Sequence, residues 1–555
     1  MKMGWKERPV RFVCLLLVLG LMAGCAIAGE KTGRQAIVPG TYHVVGLGPG
    51  DADLMTARAL AVIREADLIF CRAETKDKLA GLVDFTGKTV EDGYNVLFRF
   101  YGKDCAALSE QERNKHKMTC EAYQAKQAEF AKQVRAAVAD GKNVAVLSGG
   151  DPTIYGPDLW TVKALADLNP VVVPGLSSFN AATAALEVGL GEIILTAPFK
   201  AKDGREAKDT IENLVKYDQA VLVVFMPRDM DDLLARLAAG CPADTPVAVV
   251  SYAGHRGKEE IIAGTVADMK TKLAGRKTDM SLVYVGRDLA EAQFDKPAKA
   301  ASGAGKFYLV GIGPGDADLA TLRALDVIKK AELVFASEKI AQRFEKELAG
   351  KTVVHGYHRL FPFYGKECAQ ISAQEQAREH MSCEEYHRKQ AELSKLVRQA
   401  VGEGKTVAML DSGDPLIYGP CSWTLKEFAD LETEVVAGLS SFNAANAALG
   451  QGPTEGKTAH SVILASGWSV EKMAALQSTM VLFTMRTEFK TFIDALLKHY
   501  PAETPIAIVS SAGFAAKEAV IRGKLGTILA QKGENALPFE YLLYVGDFLS
   551  DGVAR

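Results

Sequence analysis

Three glycine-rich turns concentrate the residues able to do chemistry: GLGPGD from Gly46 to Asp51, GGDPTIYG from Gly149 to Gly156, and PGLSS from Pro174 to Ser178. Each follows an apolar run that reads as a strand, and turns at the carboxyl ends of strands mark the ligand crevice of an open α/β sheet. Glycines there let the main chain approach a ligand closely, while hydroxyls and carboxylates hydrogen-bond its polar groups. The first turn is not a dinucleotide fingerprint, because Pro49 interrupts it and the third glycine is missing. No GK[ST] follows it either, so phosphate binding is not the expected chemistry.

The same turns occur twice. YHVVGLGPGDADLMTARALAVIREADLIF from Tyr42 returns as FYLVGIGPGDADLATLRALDVIKKAELVF from Phe307, SGDPLIYG begins again at Ser412, and AGLSSFNAANAAL begins at Ala437. A repeat of this length is a duplicated domain, and 555 residues divide into two halves of about 250. Residues 40–290 and 306–550 are expected to be the two units, with 291–305, rich in Ala, Lys and Gly, as the linker. Strands alternating with helices predict an α/β fold with a parallel sheet covered on both faces. A second α/β lobe follows in each half, from AVLVVFM through TPVAVVSYAGH and from MVLFTM through TPIAIVSSAGF. Leu54, Ala57, Leu60, Ala61 and Ile63 are expected to form one buried helical stripe, as are Phe130, Val134 and Val138 further on. Ser382 and Glu385 have the spacing of a capping box.

The net charge of −3 carries no basic excess, which argues against a nucleic-acid partner. At the N-terminus Lys2, Lys6, Arg8 and Arg11 precede an apolar run from Phe12 to Met22 and the small-residue stretch AGCAIAG, a signal-peptide layout over residues 1–28. Lipoprotein-type cleavage before Cys25, with lipidation there, is favoured over an ordinary site after Ala28. An uncleaved anchor is the third reading, its apolar stretch falling short of the ~20 residues a spanning helix needs. All three place the body outside the cytoplasm, as a periplasmic protein or a membrane-anchored lipoprotein. The cysteines agree with export: Cys105 and Cys120 recur at the same spacing as Cys368 and Cys383 and read as a repeated disulfide. Closing a loop of ~15 residues stabilises by about 3 kcal/mol in the chain-entropy account. Cys71, Cys241 and Cys421 lack counterparts and read as single thiols. A metal or haem site using His116 or His380 is the weaker alternative, because these histidines are out of register and no CxxC occurs, so no metal ligand set is expected. A reactive thiol at the helix starts of Cys120 and Cys383 is the other.

GLGPGDADLMTARAL, GGDPTIYG, VVPGLSSFNAATAAL, VVFM and TPVAVVSYA, in that order and twice over, resemble the tetrapyrrole (corrin and porphyrin) methylase family. The resemblance covers nearly all of both halves and implies two units, each of two α/β lobes with the ligand cleft between them. It implies an S-adenosylmethionine-dependent methyltransferase acting on a carbon of a tetrapyrrole such as a corrin precursor or porphyrin. By the same resemblance Pro49 and Asp51 face the substrate side of the cleft, and Gly149, Gly150, Asp151, Ser177, Ser178, Met226 and Ala253 surround the donor. The matching positions in the second half are Pro314, Asp316, Ser412, Gly413, Asp414, Ser440, Ser441, Met485 and Ala512. Asp151 and Asp414 also suit a purely turn-making role, since Gly-Asp-Pro orders a chain reversal by itself. Asp51 and Tyr155 are the candidate bases for proton removal from the methylated ring, with His255 beside them. The first half keeps the fuller motif set and is the expected active half. The alternative function is a non-catalytic exported tetrapyrrole-binding protein that retains the fold. Proteins of this family commonly pair as homodimers, so the tandem chain is expected to be a monomer with an internal pseudo-dimer.

Overall fold

Short apolar runs alternating with amphipathic helices build a five-stranded sheet in each half. The computed structural model describes residues 38–199, 208–292, 305–484, 488–533, 537 and 540–551; the expected signal segment with Cys25, residues 293–304 of the expected linker and Met485 lie outside the described residues. In half one the strands are β1 Tyr42–Gly46, β2 Leu68–Phe70, β3 Thr89–Glu91, β4 Val144–Ser148 and β5 Val171–Val173. They lie in the order β3-β2-β4-β1-β5, all parallel. Every residue of β4 is buried, as a central parallel strand covered on both faces requires.

The second lobe of half one supplies β6 Glu192–Thr196, β7 Ala220–Phe225, β8 Pro246–Ser251, β9 Glu260–Thr265 and β10 Ser281–Val285. Half two repeats the parallel sheet with β11 Lys306–Gly311, β12 Leu333–Phe335, β13 Thr352–Val354, β14 Thr406–Asp411 and β15 Thr433–Val436, in the order β13-β12-β14-β11-β15. Its second lobe adds β16 Val462–Ser466, β17 Thr479–Phe483, β18 Pro505–Ser510, β19 Ala519–Lys524 and β20 Tyr541–Val545.

The two second lobes are not separate. β6 and β16 pair antiparallel, with Ile194 opposite Ile463, and fuse them into one ten-stranded sheet of order β19-β18-β20-β17-β16-β6-β7-β10-β8-β9. Alternation along β6 sends Ile193 and Leu195 to one face and Ile194 to the other, and a core cluster runs across the join on each face. One cluster joins Phe179, Leu195 and Tyr284 of half one to Phe442, Leu464 and Tyr544 of half two.

Polar contacts repeat the same pseudo-twofold relation. Asn180 donates to Asp414 Oδ2 at 2.8 Å, and Asn443 donates to Asp151 Oδ2 at 2.7 Å. Arg58 forks onto Asp318 (2.9 and 2.7 Å) as Arg323 forks onto Asp53 (3.0 and 2.8 Å). Ala57 N donates to Ala320 O at 3.1 Å and Leu322 N to Met55 O at 2.9 Å, around the fully buried Thr56 and Thr321.

Locally, two expectations are corrected. The stripe after GPGD is split: a 3-10 turn, Ala52–Leu54, precedes the helix Ala57–Glu65, which Thr56 caps by accepting from Ala59 N at 3.1 Å. Met55 and Thr56 are extended, so the helical phase restarts there; the helix buries Ala59, Leu60 and Ile63 and leaves Ala61 exposed. Ser382 accepts from Glu385 N at 3.2 Å, the serine side of the expected box, whereas reciprocal boxes stand at Ser109–Glu112 and Ser372–Glu375. Phe130, Val134 and Val138 are buried on the helix Cys120–Ala139 as expected.

Both disulfides are present, Cys105–Cys120 and Cys368–Cys383, with Cα–Cα distances of 5.8 and 5.6 Å. Each ties a 3-10 turn to the first residue of a 20-residue helix, so neither helix start carries a free thiol. Among the described residues Cys71, Cys241 and Cys421 are unpaired, and no helix is long and apolar enough to cross a membrane.

Non-reducing peptide mapping is expected to recover the 105–120 and 368–383 links; free thiols at all four positions would refute them. Removing either clamp amide, Asn180→Ala or Asn443→Ala, leaves a buried carboxylate oxygen without its donor, at a cost of about 1–3 kcal/mol. Urea unfolding should show similar losses for the two variants, and a neutral effect of either would contradict the clamp.

Candidate functional site

The three turns of each parallel sheet gather at one edge, where the second lobe meets it. In half one the GPGD loop is knitted to the GGDP turn by Gly48 N to Gly150 O (3.2 Å) and Gly150 N to Gly48 O (3.0 Å). The same loop touches the second lobe, where Asp51 N donates to Gly254 O at 3.0 Å just past Ala253. Gly50, at φ +66, lies so near Gly254 that an added Cβ would sit 2.3 Å from its carbonyl carbon. Half two repeats the contact, Asp316 N to Gly513 O at 3.1 Å. Pro49 and Pro314 sit within these loops, and Met226 follows β7, half exposed at φ +39.

At the GGDP turn the glycines face open space. A Cβ on Gly149 meets nothing within 4 Å, and on Gly150 or Gly413 it meets only a carbonyl oxygen at 4.0 or 3.8 Å. Here the two halves differ, since Ser412 brings an exposed hydroxymethyl where Gly149 leaves a gap.

In half two a cavity of about 1110 Å³ opens at this edge. Pro314, Ser412, Gly413, Asp414, Ser440, Ser441 and Ala512 all line it, so the structure brings together seven of the positions picked out in that half. Sequence reasoning missed Arg343, His355 and His358 in the same wall. Arg343 donates to the carbonyls of Gly315 (2.7 Å) and Gly313 (3.2 Å), and burial lowers its pKa to about 10. Lys78 occupies the corresponding place in half one and bonds Gly50 O.

Several of the expected side chains already have partners. Asp151 Oδ1 accepts from Thr153 N (2.8 Å) and Thr153 Oγ1 (2.6 Å), which makes the turn, while its Oδ2 takes the amide of Asn443. Asp414 does the same with Leu416 N (2.9 Å) and Asn180. With no cation against them, burial pushes Asp151 up to about 6 and Asp414 up to about 7. Ser177 and Ser440 are helix caps: their hydroxyls accept from Phe179 N (3.1 Å) and Phe442 N (2.9 Å), and Asn180 and Asn443 reach back to the cap amides. The S-x-x-N spacing carries this signal in the sequence. Ser178 and Ser441 open the helices Ser178–Leu186 and Ser441–Leu449 at the cleft.

Of the two candidate bases, Asp51 accepts from Arg256 N at 3.1 Å and from Arg323 of the other half at 3.4 Å. Asp316 likewise accepts from Ala515 N at 3.0 Å and from Arg58 at 3.3 Å. Tyr155 donates its hydroxyl to His460 O in half two at 2.8 Å, and burial holds its pKa well above the usual phenol range. Its counterpart Tyr418 donates to Glu192 at 2.7 Å. Both tyrosines have φ above +50 and bridge the halves. His255, beside Tyr252, is lowered by partial burial.

The family model of tetrapyrrole (corrin/porphyrin) methylases matches this chain twice, over residues 41–270 and 306–529. A uroporphyrinogen-III C-methyltransferase of Methanocaldococcus jannaschii is 30% identical over 247 residues, 42% of this chain and 93% of that protein. A cobalt-precorrin-4 C(11)-methyltransferase of the same organism is 31% identical over 257 residues, 44% of this chain and 87% of its own length. Among solved structures, a cobalt precorrin-4 methyltransferase is 22% identical at a TM-score of 0.35, covering 45% of this chain and 95% of that one. Matched over most of its length, and once in each half, the chain belongs to the tetrapyrrole (corrin/porphyrin) methylases.

Proposed function

We propose that this protein is an S-adenosylmethionine-dependent methyltransferase that methylates a carbon of a tetrapyrrole, a corrin precursor or porphyrin, in the cleft between its lobes. The observation that carries the reading is the cleft of half two: open glycine at Gly413, two helix starts' worth of polar main chain nearby, and a cavity of about 1110 Å³. Pockets for small molecules usually run to roughly 300–1,000 Å³, so this cavity stands at the large end, as a site for a donor and a macrocycle requires. Lys339, Arg343, Arg359 and Lys517 line it beside Glu338, Glu540 and the buried Asp414, and the four cations offer partners for the carboxylates of a substrate.

S-adenosylmethionine supplies an already electrophilic methyl group on sulfur, which leaves the protein chiefly the work of alignment. Gly149, Gly150 and Gly413 admit the ligand against main chain, while Ser178 and Ser441 offer hydroxyls at helix starts. Met226 supplies an adaptable apolar wall in half one. Ser177, Ser440, Asp151 and Asp414 act one step back, by fixing the turns. Asp51 is the better placed of the two candidate bases, because its carboxylate oxygens accept protons whereas the Tyr155 proton is committed to a carbonyl.

We place the protein outside the cytoplasm, lipidated at Cys25, and as a monomer whose halves reproduce the pairing of a dimer. The two disulfides support export, and the fused ten-stranded sheet supports the monomer.

Calorimetric titration of S-adenosylmethionine into the oxidised chain from Gly29 onward tests the function. Saturable binding at one or two sites is expected. Gly149→Phe and Ser412→Phe fill one cleft each from positions with open space, so each should abolish the site in its own half and spare the other. No binding by a folded protein would sink the methyltransferase and favour the exported tetrapyrrole binder, which a visible absorption change on adding a corrinoid or haem would then reveal.

A further inference from the structure

Half two contains a group of side chains that the methyl-transfer reading does not use. His358, Asp411 and Cys421 each offer one donor atom, and all three atoms lie within 4.8 Å of one another. Cys421 Sγ is 3.5 Å from His358 Nδ1, and His358 Nε2 is 3.9 Å from Asp411 Oδ1. Asp411 and Cys421 are fully buried, whereas His358 lines the cleft cavity. Asp411 Oδ2 accepts from Cys421 N at 3.1 Å, but Asp411 Oδ1 is buried with no hydrogen-bond partner. An orphaned carboxylate oxygen in the interior is costly unless something else satisfies it.

The equivalent place in half one is built differently. VAVLSGGD, GYNVLF and YGPDLW there become VAMLDSGD, GYHRLF and YGPCSW in half two, so Ser148, Asn95 and Asp158 give way to Asp411, His358 and Cys421. The lone acid of half one, Asp158, likewise has a buried Oδ1 without a hydrogen-bond partner, but no imidazole or thiol stands at the matching positions and a cation is near it. Arg72 donates to Asn95 Oδ1 at 3.0 Å in the amide orientation that satisfies both, and its charge acts on Asp158. Half two has Ser337 where Arg72 stands but carries Arg359 where half one has Val96; both arginines are solvent-exposed, and the charge of Arg359 acts on Asp411 and Cys421. These exchanges relocate the cation and gather an imidazole, a carboxylate and a thiol at one place.

We propose that half two binds a borderline divalent cation, of the class of Zn2+, Co2+ or Fe2+, through His358, Asp411 and Cys421 at the carboxyl end of β14. Nitrogen, oxygen and thiolate donors together suit these ions, and bonds of about 2.0–2.3 Å span donors at this spacing. Three protein ligands leave a fourth position, on the side where His358 and the neighbouring Ser412 meet the cleft. On binding, the Cys421 thiol gives up its proton to solvent and its sulfur forms the bond to the metal; no redox change is involved. Sequence patterns missed the site because its ligands come from three separated segments with no CxxC among them.

Cobalt(II) titration of the oxidised, chelator-treated full chain is the test. One equivalent is expected to bind with a thiolate-to-cobalt charge-transfer band, and Zn2+ is expected to displace it. Cys421→Ser should lose the band, and His358→Ala or Asp411→Asn should weaken binding by more than the roughly tenfold that even outer-shell partners are worth. Cys71→Ser and Cys241→Ser should leave the band unchanged. The triple exchange His358→Asn, Asp411→Ser, Cys421→Asp installs residues that half one already accommodates at these positions; it should melt cooperatively and bind no cobalt. A folded wild-type chain without the band, or a triple variant that keeps it, would overturn the proposal.

Discussion

The antiparallel join of β6 to β16 is the constraint on which the rest of this molecule depends. Both strands are short and apolar, and either one left at a sheet edge would present unpaired amides beside exposed Ile and Leu side chains, a template for aggregation. Pairing them removes both edges at once and lets two core clusters run unbroken across the ten strands. A duplicated chain gains this without a concentration requirement, because one half is always near the other.

From that join follows an unusual dependence of each cleft on the opposite half. The GGDP turn of half one is shaped by Asp151, and Asp151 is held by Asn443, which lies in the first turn of the helix that opens at the cleft of half two. The reciprocal pair, Asn180 and Asp414, does the same in the other direction. Neutral amides, rather than arginines, face these buried carboxylates, so burial is not offset by an opposing charge and both acids titrate well above the usual range. Arginines appear only further out, where Arg58 and Arg323 fork onto half-exposed aspartates and desolvation is smaller.

Much of this was legible in the sequence. The duplication, the parallel sheet, the disulfide pairs and the clustering of the turns all rest on local patterns: repeated strings, alternation of strand and helix, and fixed spacing. What was not legible depends on contacts between distant segments. Nothing near Ile194 announces that Ile463 lies opposite, and nothing in GPGD announces that Asp51 and Asp53 meet Arg323. Tyr155 illustrates the same limit, since a tyrosine beside a glycine turn reads as a candidate base until its hydroxyl is found on the carbonyl of His460. Ser177 is a different case, because the S-x-x-N box was present in the string and the donor-binding reading of the hydroxyl overshadowed it.

Several contacts between the halves are repeated with the same residue types, while the clefts differ at several positions. Across the interface the same residue types recur in matched pairs: Thr56 with Thr321, Arg58 with Arg323, Asn180 with Asn443, Asp151 with Asp414. Around the clefts Lys78 stands against Arg343, Gly149 against Ser412, Ser148 against Asp411, Asn95 against His358 and Asp158 against Cys421. The match across the interface is not complete, since Tyr155 donates to the carbonyl of His460 whereas its counterpart Tyr418 donates to Glu192. The geometry thus permits two sites of different chemistry on one frame, because the residues that differ, Ser412, Asp411, His358 and Cys421 among them, lie at or beside the cleft of half two and outside the paired contacts that join the halves.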